Sequence, residues 1–553
     1  MKNPYHERIP EPTLALGGRW AWLGVALFLA VIAIPPAWIV AESVWGNRGG
    51  AAVAPIAPVG ESGFVARLRG WEESFERLPL FSRWRASDQA RLVSRFGIGN
   101  ARVVVGRDGW LHYRPDVETV VGKGPRYVEP DTVARSRTRE SWNRPLPVVR
   151  SFAGQLAERG IALVLVPVPT KAMIHPETLG AVRSGSSGAI LPPSWPSVIS
   201  ELRNTGVEVI DLAPLLSSLS RREDAFLRLD THWTPIGMEK AAAAVGRHLR
   251  ERGLAPSRES VAEEFRISRE SRTHIGDLAE MLGMDQSARE LFAEESVKVG
   301  RVLDAETGSP PASDSTSPMV LLGDSFVNIY EDPALGFVAE DEPDIGAGFS
   351  SHLAAEMGRE FHVIAINGGG ATGVRRDFAS LPPEEVSRKK VVVWVFSARD
   401  LFLAELPGRR ARIRWEEVAF RESGSSTLPA RETKAEEEED SADPIRVEAT
   451  VRDRSMIDDP TTTPYSSAIY SVLLTDVSGG DERFEGGEAM VFLRAFRDRR
   501  PLPSSRLEKG KRYRFDLVPM PESGDVATVT RLDDFFRADL KPWFALEVEA
   551  VSR

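Results

Sequence analysis

Ile161-Ala162-Leu163-Val164-Leu165-Val166-Pro167 is an unbroken apolar run, and it leads into the polar corner Val168-Pro169-Thr170-Lys171. A strand with one face in water alternates apolar and polar residues. A strand without that alternation is covered on both faces, as in a parallel sheet flanked by helices. Residues 319–322 repeat the pattern and lead into Gly323-Asp324-Ser325-Phe326, and residues 391–396 lead into Ser397-Ala398-Arg399-Asp400. Residues 207–212 and 361–366 read as two more strands, the second ending at Asn367-Gly368-Gly369-Gly370. Helical patterns at 132–159, 195–204 and 348–357 fall between them. This alternation predicts a doubly wound, mostly parallel α/β sheet. Several polar groups then collect at the carboxyl ends of strands, where sites form in such sheets.

At 553 residues the chain is too long for one ordinary core, and its 42% hydrophobic content suffices for several. Five segments follow from the composition. Residues 1–45 read as a cytoplasmic tail and transmembrane anchor, because residues 20–41 carry no formal charge, with Lys2, Arg8 and Arg19 before them and Glu42 after. A cleaved signal peptide is the other reading of that run. Residues 46–98 read as a tether followed by an amphipathic helical region carrying Trp71, Phe75, Leu78 and Phe81. The α/β region covers 99–420 and opens with a hairpin signal at 102–113. Residues 421–443 are an acidic linker containing Lys434-Ala435-Glu436-Glu437-Glu438-Glu439-Asp440. Residues 444–553 form a small all-β domain, a barrel or sandwich, with strands at 445–451, 468–474, 489–496, 513–518 and 546–551. The net charge of −10 argues against nucleic acid as the main partner. With no cysteine, disulfides, thiolate metal sites and a thiol nucleophile are excluded.

The chemistry centres on Asp230-Thr231-His232-Trp233-Thr234-Pro235. Asp230 and His232 present a carboxylate beside an imidazole, Trp233 should bury the segment, and Pro235 should open a helix over 236–250. Such a pair needs a nucleophile, and Ser325 is the candidate, just past a buried strand, with Gly323 allowing the turn. A helix beginning near Phe326 would aim backbone N–H groups at an oxyanion. Asn367 and Gly368 offer an amide and an unhindered backbone at another strand end, suited to an oxyanion hole or a plain turn. Lys171 and Arg399 could hold an anionic sugar or serve as structural ion-pair partners. His274, before Gly276-Asp277-Leu278, is a second candidate base. The glycines at 368–370 lack dinucleotide or Walker spacing, so a nucleotide is not expected.

Together these motifs resemble the SGNH-hydrolase-like domain of the alginate O-acetyltransferase family, AlgJ and AlgX. The matching pieces are Val105-Gly106-Arg107-Asp108-Gly109-Trp110-Leu111, Val166-Pro167-Val168-Pro169-Thr170-Lys171, the Asp230–Pro235 stretch, Gly276-Asp277-Leu278 and Gly323-Asp324-Ser325-Phe326. The resemblance spans about residues 100–405. It implies Ser325, His232 and Asp230 as catalytic residues, in a chain order permuted relative to ordinary SGNH hydrolases. It also implies an enzyme of exopolysaccharide biosynthesis. Such an enzyme is a single-pass inner-membrane protein, with its domain in the periplasm, that acetylates an exported polysaccharide such as alginate through an acetyl-serine. The acetyl donor would come from a multi-pass membrane acyltransferase, with no metal and no soluble cofactor. A carbohydrate acetyl esterase of the same fold and a non-catalytic polysaccharide-binding scaffold are the alternatives.

Overall fold

The computed structural model describes residues 79–550 apart from 123, 126–144, 181–187, 256–264, 285–290, 340–341, 343–344, 404–414, 422–443 and short stretches between 456 and 541. The expected membrane anchor at 20–41, the tether and the acidic linker lie outside the described residues. Among the described residues no helix is long and apolar enough to cross a membrane. The chain divides into two units, Met1–Asp88 and Gln89–Arg553, and both the α/β region and the C-terminal β region belong to the second.

The central sheet has five strands in the order Glu208–Val209, Ala162–Val168, Val391–Ser397, Met319–Gly323, His362–Ala365. Every neighbouring pair is parallel, so the carboxyl ends of all five strands lie along one edge. Val391–Ser397 and Met319–Gly323 are buried at every position, as their lack of alternation predicts. The flanking helices include Pro145–Glu158, Trp195–Asn204, Pro235–Glu251 and Phe349–Met357. Their apolar residues join the sheet in one core that holds Phe152, Trp195, Met238, Phe349 and Trp394.

Three local expectations are adjusted. The 207–212 strand pairs only at Glu208 and Val209, because Asp211 turns to accept from the Trp195 indole and the Ala213 N–H. The first helix is described over Pro145–Glu158, and the earlier part of the expected 132–159 span lies outside the described residues. An antiparallel ribbon, Phe265–His274 with Glu295–Asp304, has no counterpart in the sequence reading. Its first strand is mostly exposed and rich in Arg and Ser, so no apolar period announces it.

The C-terminal region is a barrel. Ile445–Arg454, Ala468–Ser478, Ala489–Arg497, Pro542–Ala550 and Arg512–Pro519 pair in that circular order, and the last returns to the first. Only the Ala489–Arg497 and Pro542–Ala550 pair within this ring is parallel. Numbered along the chain, the order is 1-2-3-5-4-1 with strands 3 and 5 parallel, the topology of an OB fold. Val447, Tyr470, Leu493, Phe515 and Trp543 fill its interior.

Candidate active site

The Asp-Thr-His-Trp segment sits at the tip of a tight loop. Phe226 and Trp233 form an isolated antiparallel bridge, with Leu227 N donating to the His232 carbonyl at 3.0 Å and Thr234 N to the Ala225 carbonyl at 3.0 Å. Much of the tip is buried, and buried backbone groups must find protein partners where water cannot serve. Charged side chains supply them. Lys171 Nζ donates to the carbonyls of Leu227, Arg228 and Asp230 at 2.9, 3.1 and 2.6 Å. Glu295 accepts from the N–H groups of Arg228 and Leu229 at 2.8 and 2.7 Å. Asp277 accepts from the Thr231 N–H at 2.8 Å and the Thr231 hydroxyl at 2.5 Å. The hairpin Val103–Val105 with Leu111–Tyr113 buttresses the same loop, Leu111 N donating to the Arg228 carbonyl at 2.9 Å. Its turn places Asp108 and Gly109 both at positive φ, the two-residue turn that Asp-Gly favours.

Within this frame His232 Nδ1 lies 2.6 Å from Asp230 Oδ1. Asp230 Oδ1 also accepts from the His232 N–H at 3.0 Å, and Oδ2 from the Asp277 N–H at 2.9 Å. Burial pushes the Asp230 carboxyl upward, but His232 and the Asp277 N–H outweigh it and hold the group at about 2. Burial likewise depresses His232, and the Asp230 charge overcomes it, so the imidazole is raised above its ordinary value. A carboxylate on Nδ1 fixes the proton there and leaves Nε2 as the free basic nitrogen. Asp277 is pushed up to about 7 by burial and by the negative charge of Asp230.

Asp230, His232 and Asp277 offer three ligand-type atoms within 4.8 Å of one another. The 2.6 Å contact between His232 Nδ1 and Asp230 Oδ1 is shorter than the spacing of two ligands that each stand about 2 Å from one tetrahedral ion. The arrangement is a hydrogen-bonded dyad.

Ser325 reaches the same place from the central sheet. The strand Met319–Gly323 ends at a glycine where an added Cβ would stand 2.2 Å from Val327 Cγ2, so only glycine lets the chain fold back this tightly. Asp324 then fastens the turn. Its Oδ1 accepts from the Phe326 N–H at 2.9 Å, and its Oδ2 accepts from the Ser397 N–H at 2.9 Å, linking the ends of the two central strands. Ser325 opens the short helix Ser325–Asn328 with its side chain nearly out of water. The next ring, Phe326, lies 4.9 Å from His232 and 5.3 Å edge-on from Trp233, and the Tyr330 hydroxyl donates to the Trp233 carbonyl at 2.8 Å. Helix Pro235–Glu251 follows directly, capped by Thr234. The Asp-His loop and the serine turn are thus packed together, while among the described residues no hydrogen bond joins His232 to the Ser325 hydroxyl. The Phe326 N–H, expected to face an oxyanion, is given to Asp324 instead.

Lys171, Arg399, Asn367 and Gly368, each read as a substrate contact or as a structural element, have these surroundings. The Lys171 ammonium is engaged with three carbonyls of the Asp-His loop. Arg399 is engaged with buried Asp116 at 2.6 Å and lies over the Tyr113 ring. The Asn367 amide donates to Asp332 at 2.7 Å and accepts from Asn328 at 3.0 Å. Gly368, at positive φ, lies against the phenol of Tyr465. The second candidate base, His274, stacks edge-on with Phe337. Sequence reasoning missed the supporting roles of Asp116, Asp277 and Glu295. Of these only Asp277 stood in a motif, Gly276-Asp277-Leu278. There Gly276, at positive φ, has room for no side chain beside the Leu229 carbonyl.

Residues 103–398, more than half of the chain, match the family model described as "SGNH hydrolase-like domain, acetyltransferase AlgX". The chain belongs to this family. Among curated AlgX-type relatives it is 30% identical over 244 residues to the probable alginate O-acetylase AlgJ of Pseudomonas aeruginosa, a match covering 44% of this chain and 56% of that one. It is 25% identical over 267 residues to the alginate biosynthesis protein AlgX of the same organism, covering 47% and 50%. The chain therefore spans about half the length of these two relatives. Among solved structures it is similar to the O-acetyltransferase domain of Pseudomonas putida AlgJ, at 23% identity and a TM-score of 0.40, over 54% of this chain and 91% of that domain.

Proposed function

We propose that the chain is an O-acetyltransferase that moves acetyl groups onto hydroxyls of an exported polysaccharide through an acetyl-serine at Ser325. The observation that carries this reading is the buried 2.6 Å pair of Asp230 and His232, packed through Phe326 against the turn that bears Ser325. His232 Nε2 takes the Ser325 proton as Oγ attacks the acetyl carbonyl, and returns it to the donor's leaving group. A sugar hydroxyl then gives its proton to Nε2 and attacks the acetyl carbon, and His232 reprotonates the departing Ser325 oxygen. Asp230 keeps the tautomer and stabilises the imidazolium at each stage. The Ser325–His232 hydrogen bond forms when substrate arrives, since such contacts are often loose in free enzymes.

The reading includes a single-pass inner-membrane anchor at residues 20–41, a periplasmic domain, and a multi-pass acyltransferase as the source of acetyl groups. The names of the AlgJ and AlgX relatives support alginate as the polymer. The test incubates purified full-length protein with a small acetyl ester, with and without an oligomannuronate acceptor. Acetylated saccharide that vanishes in Ser325→Ala is the expected result. Acetate release with no acetylated saccharide in either incubation would leave an esterase.

A further inference from the structure

The OB topology of the C-terminal barrel gives two of its connections a particular meaning. In this fold the loop between strands 1 and 2 and the loop between strands 4 and 5 flank the ligand face. Here the first runs from Arg454 to Ala468 and contains Tyr465. The second runs from Pro519 to Pro542 and carries the strand Thr530–Leu532, which pairs in parallel with Ala468–Tyr470. Both loops meet the α/β region. Arg531 of the second loop donates to Asp377 at 2.7 Å. Tyr465 of the first lies against Gly368, where an added Cβ would stand 2.8 Å from the phenol oxygen and 3.0 Å from the ring.

The position of the phenol is informative. It is only partly exposed, burial pushes it up, and the charges that act on it belong to Arg399, Asp324 and Asp400, with Tyr113 also near. These are the residues that surround the ends of the two central strands. Asp324 immediately precedes Ser325 and fastens its turn. Gly370, two residues beyond Gly368, packs against the same Asp324 carboxylate. The aromatic ring therefore stands at Gly368, in the turn after the strand His362–Ala365 whose Gly370 packs on the Asp324 carboxylate, and the barrel supplies it. The glycine run at 368–370 gains a reason as well. Position 368 has no room for a side chain, because the space is taken by a ring from another part of the chain.

We propose that Tyr465 is a specificity-determining residue of the acetyl-acceptor subsite: the barrel places its ring beside Ser325 as a wall on which an acceptor sugar lies, favouring transfer to sugar over transfer to water. This rests on the acetyltransferase reading above. The apolar faces of a pyranose ring suit an aromatic surface, and the phenolic oxygen adds a polar edge for sugar hydroxyls. Water needs no such wall, so the residue acts on the choice of acceptor. The chain's net charge of −10 does not favour the nucleic-acid ligands that other OB folds take.

The test uses the full-length chain, 4-nitrophenyl acetate as donor and an oligomannuronate as acceptor, and compares wild type with Tyr465→Ala, Tyr465→Phe and Ser325→Ala. The ratio of acetylated saccharide to free acetate should fall about tenfold or more in Tyr465→Ala through a raised acceptor KM, with Tyr465→Phe within about threefold of wild type. A ratio in Tyr465→Ala equal to wild type, with Ser325-dependent transfer intact, overturns this inference and leaves the acetyltransferase reading standing. A parallel loss of both products with unchanged acceptor KM and a lowered melting temperature also overturns it, since the residue is then only structural. Wild-type protein that acetylates no saccharide removes both readings.

Discussion

Asp230 Oδ1 and His232 Nδ1 share a 2.6 Å hydrogen bond with both side chains almost wholly out of water. Replacing the carboxylate while keeping its shape leaves the loop's hydrogen bonds largely in place but releases the tautomer. Asp230→Asn should lower kcat/KM for acetyl transfer by roughly 10³- to 10⁴-fold. The pH profile carries a second signature. As the base proposed above, His232 would act only when neutral, and its pKa is raised because Asp230 overcomes the effect of burial. Activity should therefore climb through a limb above pH 6.5, the ordinary histidine value. In Asp230→Asn the strongest opposition to burial is gone, with only Asp277 and Asp324 left to raise the imidazole, so the residual activity should show that limb at lower pH. A limb that stays put would disconnect His232 from the rate.

Lys171 holds the Asp-His loop by three backbone carbonyls. Lys171→Met keeps the stem and removes the donors, leaving buried acceptors unpaired at a cost of about 2–4 kcal/mol. Denaturant unfolding should show that loss, together with a fall in kcat. A substrate KM that rises while stability is unchanged would return Lys171 to substrate binding.

Gly323 is where the sheet meets the serine turn. Gly323→Ala drives a methyl into Val327 and should cost about 1–3 kcal/mol, with a loss of activity as Ser325 is displaced. Trimming the obstacle in Gly323→Ala/Val327→Ala should restore part of both. Failure of the double variant to recover any activity would mean that backbone conformation, not the Val327 side chain, makes glycine necessary.

The Arg399–Asp116 pair joins the end of the central strand to the helix Arg114–Val121 across a long sequence separation. Removing one partner from a buried pair typically costs about 3–5 kcal/mol, so Asp116→Asn should unfold at clearly lower denaturant. The double variant Asp116→Asn/Arg399→Met should be more stable than Asp116→Asn alone, because the guanidinium is no longer left with only the longer 3.8 Å contact to Asp400. Equal stability of the two would argue that Arg399 finds another partner.

Several of these features were legible before any coordinates. The three apolar runs named the central strands, because burial on both faces removes the polar alternation. Trp233 and Pro235 announced a buried loop and the helix after it, each through a local rule. Asp230 and His232 are close in sequence and needed no long-range knowledge to be paired. What stayed hidden depends on distance along the chain. Glu295 and Lys171 are scattered charges until folding closes them around one loop. The ribbon Phe265–His274 is polar on the outside and leaves no period. The closure of the barrel follows from strand order, which strand propensity cannot show. Tyr465 stood in a connection with no motif, and its place beside Gly368 exists only in three dimensions.

The barrel closes through Pro542–Ala550, which is wedged between the third and fourth strands and is the last strand along the chain. Its parallel partner, Ala489–Arg497, cannot be reached by a short turn, so this pairing forms late and carries a large loop-closure cost. The loop bearing Tyr465 joins two strands of that ring, Ile445–Arg454 and Ala468–Ser478. The central sheet and the barrel have separate cores, so the Ser325 turn and the proposed Tyr465 wall rest on different packing. If Tyr465 acts as proposed, choice of acceptor hangs on a non-local strand pairing that the serine turn itself does not use.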